Sequence, residues 1–61
     1  MRQLPYENED QRRIGEFLIE MNILSFEQVL SILVSRTIPE DLVKSTVKKG
    51  ISLSQLNDLK N

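Results

Sequence analysis

Between Arg13 and Arg36 apolar residues recur at helical spacing in two blocks, separated by a short break. Ile14, Phe17, Leu18 and Met21 fall at i, i+3, i+4 and i+7, which places them in one stripe of a helix. Asn22 follows, a residue that tolerates the left-handed conformation in which helices end. Ser25 then supplies an N-cap, and Gln28 stands at the position that completes a capping box. Leu24 before the cap and Val29 beyond it are placed to form a hydrophobic staple. Phe26, Val29, Leu30 and Leu33 repeat the spacing, and Val34 widens the stripe. So short a break predicts two helices lying side by side as a hairpin.

The remaining chain uses similar grammar. Thr37 and Glu40 predict a capping box around Pro39, with the proline in the first turn of a helix. Leu42, Val43, Thr46 and Val47 form its stripe, and Gly50 is a C′ stop after Lys48 and Lys49, which suit a helix C-terminus. Ile51 and Leu56 then bracket Ser52 and Gln55 as another staple and capping box, opening a helix from about Leu53 to Leu59. LSFEQVL, from Leu24 to Leu30, thus recurs as ISLSQLN, from Ile51 to Asn57, each after an Asn or Gly stop. At the other end, Pro5 biases Leu4 away from helix. Leu4 and Tyr6 either fold back or dock a partner, and a flexible terminus is the preferred reading. Asn8 caps a first helix from about Glu9 to Met21, with Gln11 at N3 and the acids Glu9 and Asp10 in the first turn.

The pattern therefore predicts an all-α fold, a small bundle of two helical hairpins with about four helices and short loops. Residues 1–8 form a lead-in and 9–61 a single helical domain, divided into hairpins 9–36 and 37–61. The second helix is apolar around most of its circumference, through Phe26, Val29, Leu30, Ile32, Leu33 and Val34. It is expected to be central, flanked by the first and third helices, or else covered by a dimer mate or a docked partner. Ile19 and Ile32 point away from the main apolar faces of their helices; with Val34 they are the expected partner-binding positions.

Composition narrows the chemistry. With 61 residues the chain is one domain near the lower size limit for a stable monomer. It has no cysteine and no histidine, which removes disulfides, zinc fingers, cysteine nucleophiles and histidine bases. A net charge of −1 gives no general attraction to nucleic acid or anionic membrane. No apolar run is long enough to span a membrane, and a cytoplasmic location is the default expectation. Glu16 and Glu20 share a helix face and read as a solvated face rather than a catalytic pair. Ser25, Thr37 and Ser52 are caps with no base beside them. No phosphate-binding glycine loop or metal-ligand spacing is present, so neither an enzyme nor a cofactor is expected.

Gly15 is the anomaly, since glycine costs about 1 kcal/mol against alanine inside a helix. Either another helix packs on the bare backbone or a ligand approaches it, with Arg12 or Arg13 beside it; on physical grounds packing is favoured. Arg13-Ile14-Gly15, Leu18-Ile19, Asn22-Ile23-Leu24, Val29, Leu33 and Arg36 also resemble a motif of the N-terminal domains of type II secretion and type IV pilus assembly ATPases. In the cyclic di-GMP-binding members two such motifs in tandem wrap one nucleotide. The resemblance implies Arg13, Ile14, Gly15, Leu18, Ile19 and Leu24 as the ligand-binding positions. Asn22 stands where the motif has its second glycine, and Arg36 replaces its closing glutamine. The second hairpin lacks the arginine and glycine, so a complete clamp would need a second molecule.

Three functional expectations follow. The first is a non-enzymatic protein-interaction or regulatory module, acting through helix faces on a protein partner or in a homodimer. The second adds cyclic di-GMP, centred on Arg13 and Gly15. The third reads VKSTVKKGISLSQLNDL as a DNA-binding helix-turn-helix, with Lys44, Lys48 and Lys49 in its first helix. Asn57, Asp58 and Lys60 give its would-be recognition helix little positive charge, and a capped hairpin turn is the better reading.

Overall fold

The computed structural model describes residues 3–60. Met1 and Arg2 of the expected lead-in and Asn61 of the expected second hairpin lie outside them. Four helices and no strand occur among the described residues: α1 (Glu9–Glu20), α2 (Phe26–Ser35), α3 (Glu40–Lys48) and α4 (Leu53–Lys60).

The two hairpin turns are built from the same hydrogen bonds. After α1, Asn22 takes a φ of 60° and donates to the Ile19 carbonyl, while Ile23 N–H reaches back to Leu18. After α3, Gly50 takes a φ of 100° and donates to Val47, while Ile51 N–H reaches back to Thr46. Both are Schellman closures, which satisfy the orphaned carbonyls of a helix end. Each is followed by a complete capping box. Gln28 N–H donates to Ser25 Oγ at 3.1 Å and Ser25 N–H to Gln28 Oε1 at 2.8 Å. Ser52 and Gln55 make the same pair at 3.1 and 2.9 Å. The second turn is one residue shorter. Ile51 therefore closes one helix and staples the next, work that Ile23 and Leu24 divide in the first turn.

The junction between the hairpins differs from expectation. No capping box joins Thr37 to Glu40: Pro39 is the N-cap of α3, with ψ at 144°, and it lends no side-chain bond. The reason is steric, because a residue before proline is pushed out of helical conformation and Ile38 is that residue. The Thr37 hydroxyl lies instead against Ser35 Oγ at 3.1 Å. Arg36 ends α2 in the left-handed region with a φ of 59°, a conformation no local residue signal announced.

Packing places α4, not α2, at the centre. Its backbone comes close to α1, α2 and α3, most extensively to α1, whereas α3 approaches no helix but α4. Leu56, Leu59 and the preceding Ile51 join Ile14, Leu18, Leu24, Val29, Ile32 and Leu33 in one core. The buried line on α1 is Gln11, Ile14, Gly15 and Leu18, one step round from the expected stripe, so Phe17 and Met21 are left 42% and 59% exposed. α2 is rotated likewise: Ile32, expected off the core face, is 1% exposed and lies within the core, so it is not a partner-binding position. Val34, placed in the stripe of this helix by its spacing, is instead 71% exposed.

Two polar residues are buried with their hydrogen bonds made. Thr46 donates back to Leu42 and Val43 within α3. Gln11 does more, for its amide donates to the Leu59 carbonyl at 2.7 Å and its Oε1 accepts from Glu7 N–H at 2.6 Å. One side chain thus ties α1 to the end of α4 and to the lead-in.

Ser25→Ala is expected to lower stability by about 1 kcal/mol through loss of the cap. Gln11→Ala is expected to cost about 1–3 kcal/mol, because it strands the buried Leu59 carbonyl and removes the acceptor of the part-buried Glu7 N–H. Denaturant titration of the two variants checks the order: a Gln11 loss no larger than that of Ser25 would show that the bridge adds nothing to the packing.

Candidate functional site

Residues before α1 shape an open concavity on the surface of the bundle. Tyr6 N–H donates to the Leu4 carbonyl at 2.9 Å, closing a tight turn on Pro5, whose ring favours the required φ. Glu7 N–H is held by Gln11, and the Glu7 carboxylate pairs with Arg36 at the end of α2. Leu4 and Tyr6 are half-buried and pack on the core, so the described part of the lead-in, residues 3–8, lies folded back along α1 rather than free.

Tyr6 supplies the reason for Gly15. A Cβ on Gly15 would stand 2.5 Å from Tyr6 Cε1 and Oη, closer than any contact allows, so only glycine lets the ring lie on the helix. The close approach expected at this glycine is real, but what packs there is the lead-in, not another helix. The Tyr6 hydroxyl is buried and has no hydrogen-bond partner among the described residues. That burial, and secondarily the nearby Glu16 carboxylate, raises the phenol pKa above its ordinary 10.0, with Arg12 opposing.

Beside this ring runs an open groove of about 660 Å³, with Leu4, Tyr6, Ile19 and Phe26 as its apolar lining and Arg12, Glu16 and Glu20 among its polar residues. Arg12 is engaged on both sides, by Glu9 and by Glu16 at 2.9 Å. The hydrogen bond from Arg12, and then its charge, holds the Glu9 carboxyl below its usual range. Glu20 forms no ion pair with another described residue. The groove is therefore greasy within and acidic at one side.

The ligand-binding positions implied by the motif do not converge. Ile14, Leu18 and Leu24 are core residues and Gly15 is covered by Tyr6. Arg13 is two residues from Gly15, on the opposite side of α1, where it lines a smaller groove of about 280 Å³ with Asp10, Phe17 and Asp58. Its guanidinium is exposed, with one long contact of 3.8 Å to Glu9. Ile19 is half-buried and reaches the large groove. Glu20 was not singled out as a binding residue, and Tyr6 folds back where a flexible terminus was the preferred reading; the glycine at 15, needing something flat to rest on it, was the available signal for the tyrosine.

Among the described residues no cluster of acidic, histidine or cysteine side chains is arranged to hold a metal ion. No helix among them is long and apolar enough to cross a membrane. Comparison with protein-family models, curated proteins and solved structures finds no match.

Tyr6→Phe removes the unpartnered hydroxyl and is expected to stabilise the fold by about 1 kcal/mol. Tyr6 is the sole tyrosine, so alkaline absorbance follows it alone, and its titration is expected above 10.0. Below 10.0 both folded and unfolded chains keep the phenol proton. Above it the unfolded chain releases the proton first, so stability falls as pH rises through the raised folded value. A stability profile in which Tyr6→Phe matches wild type across that window would show the hydroxyl to be solvated.

Proposed function

We propose that this chain is a non-enzymatic protein-interaction module that receives a short segment of a protein partner in the groove between the lead-in and α1. The observation that carries this reading is the combination of an apolar lining with an acidic side bearing Glu20, which pairs with no other described residue. An apolar anchor side chain followed by a lysine or arginine satisfies both, the first by burial and the second by opposite charge. The likeness of Arg13–Arg36 to the N-terminal domains of secretion and pilus ATPases is compatible with such a role, as a regulatory or adaptor domain.

Cyclic di-GMP is the second reading, favoured by the exposed and barely engaged guanidinium of Arg13. It requires Tyr6 to leave Gly15, which the ring covers, and a ligand that reaches around α1 to Arg13 on its other side.

Panning a displayed library of random short peptides against the protein tests the first reading. The expected enrichment is for an apolar residue beside a basic one, and Ile19→Asp is expected to abolish it while the helical circular dichroism signal stays intact. Enrichment that survives Ile19→Asp would place docking elsewhere. Calorimetric titration with cyclic di-GMP tests the second: heat that disappears in Arg13→Ala would favour the nucleotide, and no heat at tens of micromolar would remove it.

A further inference from the structure

We infer that the groove takes a second copy of this chain, through the corner where α3 turns into α4. This rests on the reading of the groove as a docking site and names its occupant.

The corner has the chemistry the groove lacks. Val47 and Leu53 flank the Gly50 turn and are 43% and 61% exposed, although both are apolar. Lys48 and Lys49 lie between them in the chain and Lys44 is one turn earlier. All three lysines are exposed, and none forms an ion pair with another described residue. The corner is thus an apolar knob among uncompensated positive charges, while the groove is an apolar hollow with Glu16 and Glu20 at its side.

Each surface supplies what the other is short of. Seating Val47 and Leu53 against Leu4, Tyr6 and Ile19 removes apolar area from water on both sides. The same placement brings lysines to carboxylates where water is partly excluded and their attraction is less screened. Two of the other cations are already engaged, Arg12 by Glu9 and Glu16 and Arg36 by Glu7. When each copy gives its corner to the other's groove the pair is two-fold, and the same contact is made twice.

Sedimentation of the full chain at rising concentration, in low and high salt, tests this. Association that weakens with salt is expected for wild type. Lys44→Glu/Lys48→Glu and, separately, Glu20→Lys are each expected to weaken it about tenfold or more, a loss of about 1.4 kcal/mol. Mixing these two variants is expected to restore association, because one contact then pairs reversed charges with each other. All the substituted side chains are exposed, and circular dichroism verifies that each variant is folded. A wild type that stays monomeric, or a mixture that fails to recover, overturns the inference. Monomeric protein that still selects peptides through Ile19 overturns the second-copy occupant alone and leaves the groove as a docking site. Loss of both points to the groove itself.

Discussion

Leu56 and Leu59 project from a helix of eight residues into space shared by three others, and the bundle closes around them. In a chain this small no helix pair buries enough surface to stand alone, so one element must serve several neighbours. α4 does so because both leucines and the preceding Ile51 are almost wholly withdrawn from water. Burying a leucine side chain fully contributes about 1.5–3 kcal/mol, which is large against the stability such a domain has. Gln11 then orients the packing. Hydrophobic contact alone does not fix how two helices are turned about their axes, but an amide reaching the Leu59 carbonyl from α1 does.

The same glutamine connects the core to the groove. Its Oε1 holds Glu7, and Glu7 in turn pairs with Arg36 beyond α2, so the lead-in is fastened at one point to two helices. From there the chain runs back over α1 and lays Tyr6 on Gly15. The helix loses intrinsic stability at that glycine. In exchange the ring approaches the backbone, and a groove forms beside it. The groove is in this sense a consequence of tethering a short non-helical segment, more than of any helix face taken by itself.

The repeated turn gives the molecule its two halves without making them equivalent. Asn22 and Gly50, then Ser25 and Ser52, direct the chain back on itself by the same hydrogen bonds. What the halves carry differs in charge: four acids and two arginines on α1, two acids and two lysines on α3 with Lys49 just beyond it.

Local grammar was legible in the chain: helix starts at Asn8, Ser25 and Ser52, stops at Asn22 and Gly50, and the all-α class. Those features depend on backbone groups within a turn or two, and the residues that satisfy them are neighbours in sequence. Rotation of each helix was not legible. Gln11 occupies a core position that no apolar count assigns to it, and Ile32 is inside because α2 turns toward α4. The groove was hidden for the same reason, since Tyr6 is distant from Ile19 in sequence and meets its lining only once the lead-in is fastened. Periodicity states that a helix has an apolar side; which neighbour covers it, and by how many degrees it turns to be covered, is decided by all four helices competing for one small interior.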